Sequence, residues 1–387
     1  MTRIASLTSP PAGDPASRVA GLSVLLRQLL SLQDAGIEEV WVDLPRAEIL
    51  ADSRLKLTIR APSPPVPLSP VGVRGNPSAG AVQPPGSDAV LTARLGLVWH
   101  RLLPRRLVAA GYTGDIERAP LEADEFVLPV TDAPSRVRAE DLLFRALLKA
   151  TDGIISRYLN RPISLRVTRA LINTSLTPNQ MTLIAALFGF VGIAVVAWGG
   201  LPWLLLGALL LNLQSILDGC DGEISRLKYI RSRLGEWLDQ VLDDVVNVGF
   251  FAVAGWAVWR SGSTVALWVT VVGTTLHLVY QVALYVGLIT RGGGSGSVTT
   301  LNWWFQKPHG PPGEPLPPAP RTLARTIKET VEMAGRRDFF TFLYLPAALL
   351  DVPLVALVWC AIIFSVSGLT TGLQWVVAGG PESAIGR

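Results

Sequence analysis

The sequence predicts a two-part chain: a mixed α/β domain at the front, followed by an all-α membrane domain of about six transmembrane helices. Three observations carry this. The chain has 387 residues, of which 49% are hydrophobic and only 17% charged, and after about Asn179 the apolar residues form long runs with hardly a charge. Ahead of about Ile163, short strand-like and helix-like pieces alternate instead. In the apolar half, the basic loops all fall on one side.

The front domain is expected over residues 1–138. Arg3 to Leu7 reads as a strand, and Gly21 to Ala35 carries leucines at helical spacing with Gly36 to end the helix. Glu39 to Leu44 reads as a buried strand. Pro62 to Gly86 is rich in Pro, Gly and Ser and is read as an excursion. Further strand and helix signals follow at Ala89 to Val98, Pro104 to Ala110 and Glu125 to Pro129. The N-terminus has no apolar core of signal-peptide length, so this part is expected in the cytoplasm. Cys220 and Cys360 sit in or beside apolar runs without metal-type spacing, which argues against a disulfide framework.

Residues 139–177 are expected to link the parts as two amphipathic, interfacial helices separated near Asn160-Arg161-Pro162. The second sets Arg166 and Arg169 opposite Leu165, Ala170 and Leu171, a pattern for the headgroup region; a solvated linker helix is the alternative.

The membrane domain is expected over 178–380. A span needs about 20 mainly apolar residues, and six are read, at about 179–199, 202–222, 235–259, 263–289, 338–351 and 353–377, with Asp351-Val-Pro353 dividing the last two. Arg226, Lys228, Arg231 and Arg233 follow the second span, and Arg321, Arg325, Lys328, Arg336 and Arg337 precede the fifth. The opposite loops are nearly neutral. Positive-inside orientation then gives a multi-pass protein of the plasma or inner membrane with both termini cytoplasmic. A formal net charge of +4 with 12 Trp suits contact with anionic lipid and phosphorylated ligands, and Trp303-Trp304 is expected to anchor its loop at the interface. No nucleic-acid motif accompanies the charge, so nucleic acid is not an expected partner.

The most informative stretch is Asp218-Gly-Cys-Asp221-Gly222-Glu-Ile-Ser225-Arg226, followed after eight residues by Gly235-Glu-Trp-Leu-Asp239-Gln-Val-Leu-Asp243. Asp218 and Asp221 are three apart, and Asp239 and Asp243 four apart, so on helices each pair shares a face. Two packed helices could bring four carboxylates to one point at the membrane boundary, which is costly unless cations neutralise them. An all-oxygen cluster suits Mg²⁺ or Mn²⁺, which also bind phosphate oxygens. Gly222 and Gly235 allow close backbone approach. The alternative is that the acids cap helices and pair with Arg226, Arg231 and Arg233. Asp244 follows immediately but lies off the shared face. The three histidines, His100, His277 and His309, are scattered and make no metal set.

This pattern resembles the signature of the CDP-alcohol phosphotransferase family, D-x2-D-G-x2-A-R-x8-G-x3-D-x3-D, at every fixed position but one: Ser225 stands where the family usually has Ala. The resemblance implies a two-metal site held by Asp218, Asp221 and Asp239 with Asp243 close by, and makes Asp243 the general base as well. It implies that Gly222, Ser225 and Arg226 contact the CDP part, and that the protein forms homodimers. Thr177-Pro178-Asn179, with Thr182, resembles a family motif near the nucleotide pocket, although helix capping accounts for it equally. Arg231, Arg233 and Arg337 are candidates to grip an acceptor phosphate, and the positive-inside rule accounts for each of them too.

The stretch from Ala139 to Asn179 is similar to the membrane half of bifunctional enzymes that fuse an inositol-1-phosphate cytidylyltransferase to a di-myo-inositol phosphate phosphate synthase. Residues 20–44 and 88–110 are faintly similar to such a nucleotidyltransferase. The resemblance implies a Rossmann-like front domain, but a degenerate one. Leu7-Thr-Ser-Pro-Pro-Ala-Gly-Asp-Pro replaces the Gly-rich phosphate loop, and the metal-binding Asp of that fold is absent around Leu95-Gly96. The expected function is transfer of a phosphoalcohol from a CDP-alcohol, such as CDP-inositol, to a hydroxyl acceptor such as a polyol phosphate. A CDP-diacylglycerol-dependent phospholipid synthase and a non-enzymatic scaffold or divalent-cation binder are the competing readings.

Overall fold

Short runs rich in β-branched and aromatic residues build the front sheet. Its strands are β1 (Ile4–Thr8), β2 (Glu39–Val42), β3 (Thr58–Arg60), β4 (Leu91–Arg94) and β5 (Gly114–Asp115). All are parallel, in the order β3-β2-β1-β4-β5. That is the order of the first five strands of a doubly wound nucleotide-binding fold. The computed structural model describes residues 3–9, 11–44, 52–61, 89–148, 152–302 and 333–383. The Pro62–Gly86 stretch and Trp303-Trp304 lie outside them.

The chain divides into two compact units, Met1–Leu148 with Arg226–Tyr229, and Lys149–Ser225 with Ile230–Arg387. In the first, helix α1 (Val24–Asp34) is capped by Ser23, whose side chain accepts from Leu26 N at 3.3 Å. It lays Leu25, Leu29 and Leu32 on the sheet against Leu7, Val40 and Leu91. Each such buried leucine contributes about 1.5–3 kcal/mol. Where one strand signal ran from Ala89 to Val98, there are two strands, β4 and Leu97–Trp99, because the chain turns at Gly96 with φ +81°. Leu97–Trp99 pairs antiparallel with Val127–Pro129. Helices α2 (Leu103–Ala109) and α3 (Ala133–Arg145) complete this unit.

The linker departs from expectation. Its first helix, α3, begins ahead of Ala139, and no break occurs at Asn160–Pro162. A π-helical turn, Ser156–Asn160, runs directly into α4 (Arg161–Leu171). Pro162 falls where the π-helical turn gives way to α4, and the wider turn accommodates its ring and missing N–H, so the helix continues rather than ends.

In the second unit, among the described residues, α5 (Pro178–Val196), α6 (Leu201–Lys228), α7 (Arg233–Arg260), α8 (Thr264–Arg291) and α10 (Pro353–Ala378) are the five helices long and apolar enough to cross a membrane. Lipid gives apolar helices no reason to prefer each other, so close packing must hold them. Small residues provide it. Gly192 of α5 faces the Gly207 carbonyl of α6, and Gly368 of α10 lies on the backbone of Leu276 in α8. The expected fifth span forms a helix, α9 (Arg337–Leu349), of only 13 residues, or about 20 Å against a core of about 30 Å. Arg337 pairs with Asp218, and Asn212 Nδ2 donates to Thr341 O at 3.4 Å, so α9 runs beside the earlier part of α6. Asp218 lies ten residues short of the α6 end, about 15 Å along the axis. A turn at Asp351, φ +55°, then leads into Pro353 and α10.

Candidate active site

The site is assembled from consecutive helices. α6 carries Asp218, Asp221, Gly222 and Ser225, with Arg226 in its last turn, and α7 carries Gly235, Asp239 and Asp243. Asp218, Asp221 and Asp239 each offer a carboxylate oxygen, all within 4.8 Å of one another. Asp243, one turn further along α7, is tied to them by Arg337, whose guanidinium pairs with both Asp218 and Asp243. Gln214 Nε2 donates to Asp243 Oδ1 at 2.9 Å. Thr182 Oγ1 donates to Asp221 Oδ2 at 2.6 Å, and the Gly222 amide donates to Asp221 as well.

This donor set fits a hard divalent cation. The ligand atoms are carboxylate oxygens without nitrogen or sulfur, as Mg²⁺ and Mn²⁺ prefer. Asp239 Oδ1 is buried and has no hydrogen-bond partner among the described residues, as a coordinating atom awaiting a cation should. Asp244 turns away, as its helical position dictates: it accepts from Tyr285 Oη at 2.7 Å and Gln240 Nε2 at 3.0 Å.

The other expected residues divide into those near the cluster and those not. Thr177 caps α5 in a reciprocal box with Gln180: Thr177 N donates to Gln180 Oε1 at 2.9 Å, and Gln180 N donates back to Thr177 Oγ1 at 3.4 Å. Pro178 opens that helix, and the Asn179 amide lies against Gly235 where any side chain would collide with it. Ser225 uses its hydroxyl to donate to Ile230 O at 2.6 Å, closing the turn after α6, which Ala could not do. Of the three arginines read as phosphate grips, Arg337 lies among the aspartates. Arg231 and Arg233 are exposed in the α6–α7 turn.

Sequence reasoning missed Gln214 and Glu223. Glu223 is fully buried and accepts from Arg161 Nη1 at 2.8 Å, Ser164 Oγ at 2.7 Å and Thr168 Oγ1 at 2.6 Å. Arg161 Nε also donates to Asp152 at 3.1 Å. This network fixes α4 against α6 one turn from the metal-type aspartates. Its signal was present in the sequence: Ser164 and Thr168, four apart, share the face of α4 that carries Arg161.

The front unit has a second feature of note. The loop after β1 folds over the carboxyl end of β4, where ligands of this sheet type bind. Ala12 N donates to Leu95 O at 2.7 Å, Asp14 N to Val130 O at 2.7 Å, and Val130 N to Gly96 O at 3.0 Å. Gly13 and Gly96 lie so close that a side chain on either would overlap the other's backbone. Two of the loop's amides are therefore spent on protein carbonyls.

Residues 175–309 match the family model described as CDP-alcohol phosphatidyltransferase. Among curated relatives, the bifunctional IPC transferase and DIPP synthase of Thermococcus kodakarensis is 41% identical over 128 residues, covering 33% of this chain and 28% of that protein. The Archaeoglobus fulgidus protein of the same name is 43% identical over 117 residues, 30% of this chain and 23% of that one. Its Aquifex aeolicus counterpart is 39% identical over 123 residues, 31% and 28% respectively. The chain thus spans about a quarter of the length of these relatives. With the aspartates of both signature halves gathered at one point, the part from 175 to 309 is a CDP-alcohol phosphatidyltransferase domain.

Proposed function

We propose that this protein transfers a phosphoalcohol group from a CDP-alcohol to a hydroxyl acceptor and releases CMP. The observation that carries the reading is the convergence of Asp218, Asp221 and Asp239 within 4.8 Å, with Asp243 held beside them by Arg337 and Gln214. Asp218, Asp221 and Asp239 would hold Mg²⁺ or Mn²⁺, with Asp243 at their edge. Bound there, two such ions would neutralise the donor diphosphate and stabilise CMP as it leaves. Gly222, Ser225 and Arg226, with Thr177, Pro178 and Asn179, would contact the CDP part. Asp243 accepts the proton of the attacking hydroxyl as its oxygen bonds to the phosphorus that carries the donor alcohol. The phosphoanhydride bond to CMP breaks in the same displacement. Arg337, with Arg231 and Arg233, supplies positive charge for an acceptor phosphate.

The names of the relatives and the fused α/β unit favour a soluble CDP-polyol such as CDP-inositol as donor and a polyol phosphate as acceptor. The front unit keeps a nucleotidyltransferase-like sheet order but serves assembly or regulation rather than catalysis, a reading that its consumed loop amides support. The basic loops favour cytoplasmic termini, and the family resemblance favours a homodimer.

The test is CMP release by the purified full chain from CDP-inositol, CDP-glycerol and CDP-diacylglycerol with candidate acceptors. Release is expected to stop on chelation, to return with Mg²⁺ or Mn²⁺, and to fall about 100-fold or more in Asp243→Asn, the scale of a lost general base. Metal-independent release, or an Asp243→Asn enzyme of wild-type rate, sinks the reading.

A further inference from the structure

The last residues of α6 and the one that follows, Arg226–Tyr229, form part of the first compact unit. Tyr229 has φ +54°, the left-handed position that closes a helix and that glycine usually fills. Ile230 N donates to Ser225 O at 3.1 Å and completes that closure. A ring as large as tyrosine's is strained there unless something holds it. The front unit does. Tyr229 is buried against Leu22, Leu26 and Leu30, a second apolar row beside the leucines of α1 that cover the sheet. Arg27 and Arg101 place their guanidinium carbons 5.9 and 5.1 Å from the centre of its ring. Both cations are fixed by their own unit: Arg27 Nη2 donates to Val19 O at 2.9 Å, and Arg101 Nη2 to Asp34 Oδ2 at 3.0 Å. One residue earlier, Arg54 Nη1 donates to Lys228 O at 2.6 Å, while Asp52 holds the rest of that guanidinium through bonds of 2.7 and 2.6 Å.

We infer that the front unit braces the donor side of the transferase: by gripping Tyr229 and the Lys228 carbonyl, it fixes the last turn of α6 and with it Arg226. The inference rests on the transfer reaction proposed above and deepens it. Arg226 is the residue of that turn that would contact the CDP part, and it stands three residues ahead of Tyr229. The last carbonyls of a helix have no partner inside it, and its end frays unless they are satisfied from outside. An arginine on a frayed turn must be ordered each time it meets a diphosphate, and that entropy is lost from binding. The grip removes the cost beforehand, since Arg54 satisfies the final carbonyl and the buried ring keeps the strained backbone in place. A structural plug would need only the apolar row. The two cations set over the ring and the Asp52-held arginine on the carbonyl instead specify one position for this turn. Such a role needs no nucleotide in the front unit itself, in keeping with its consumed loop amides.

The experiment measures initial rates of CMP release by the full chain in lipid nanodiscs with Mn²⁺, varying CDP-inositol and myo-inositol 1-phosphate separately. Tyr229→Gly removes the ring yet suits the left-handed backbone, so the turn remains while the grip is lost. It is expected to raise the donor KM about tenfold, the scale of one weakened charge-assisted contact, with kcat and the acceptor KM within about twofold. Arg54→Ala, which frees the Lys228 carbonyl, should raise the donor KM about threefold, and it decides the matter should Tyr229→Gly fail to fold. An unchanged donor KM in the folded variants, an equal rise in the acceptor KM, or a fall in kcat alone overturns the brace. If the wild type releases no CMP from any CDP-alcohol, the transfer reaction itself has failed, and calorimetric titration with CDP and Mn²⁺ then decides. Weaker binding in the variants upholds the brace; binding absent from the wild type, or equal in both, overturns it.

Discussion

Thr182 shows how much of the site rests on single side chains behind the carboxylates. Its hydroxyl holds Oδ2 of Asp221 at 2.6 Å, while the Gly222 amide holds Oδ1, so the carboxylate is fixed at both oxygens. Such supporting hydrogen bonds are worth about 10–100-fold in metal affinity. In Thr182→Val the metal concentration for half-maximal CMP release should rise about tenfold, with the maximal rate at saturating Mn²⁺ little changed; an unchanged requirement would remove Thr182 from the site. His100 carries a prediction for the front unit. Its Nδ1 is buried without a partner among the described residues, and burial holds its imidazole below the usual range, so the folded unit favours the neutral ring. The unfolded chain takes up its proton near pH 6.5, so the stability tied to this residue is full above that pH and is lost as pH falls from there toward the depressed folded value. Hydrogen exchange should report weaker protection of Leu97–Trp99 and Val127–Pro129 at pH about 5.5 than about 7.5, after correction for intrinsic rates. His100→Leu should remove most of that difference.

Between helices, the decisive quantity is how closely two backbones can come. Gly368 lies against the Leu276 carbonyl, and a side chain there has no flexible neighbour to displace. Gly368→Val should therefore force α8 and α10 apart and cost about 1–3 kcal/mol, the range for overpacking a tight contact. A lowered melting temperature in detergent would show it, and an unshifted one would argue that the crossing is loose. Helices and strands were legible wherever pattern alone decides them: α1, β1, β2 and the long apolar helices fall close to their expected ranges. What escaped depends on backbone geometry or on partners far away in sequence. Gly96 splits one strand signal in two by adopting a positive φ, and Pro162 continues a helix because of where it falls in the turn. Likewise, the spacing of the aspartates foretold the convergence of Asp218, Asp221 and Asp239, with Asp243 beside them. Gln214 and the dual pairing of Arg337 could not be foretold, since each depends on which helix packs alongside; for Glu223 only the polar face of α4 was legible, not its partner.

At the scale of the molecule, the two units show unequal kinds of order. The front unit is a parallel sheet whose apolar strands must be covered, and water drives that burial. The second unit gains nothing from hiding leucine in lipid and relies on small residues and on polar links such as Arg161–Glu223. The length of α9 is the consequence most worth following. With this 13-residue helix rooted at Asp218 through Arg337, the acidic cluster is coupled to the thickness of its host bilayer. A helix of about 20 Å has little slack: thicker lipid must thin around it or pull it outward, at fractions of a kcal/mol per Å of hydrophobic mismatch. Turnover should accordingly peak in vesicles of medium acyl length and decline in those built from very long chains, while the same enzyme in detergent, free to shape its own belt, loses that dependence.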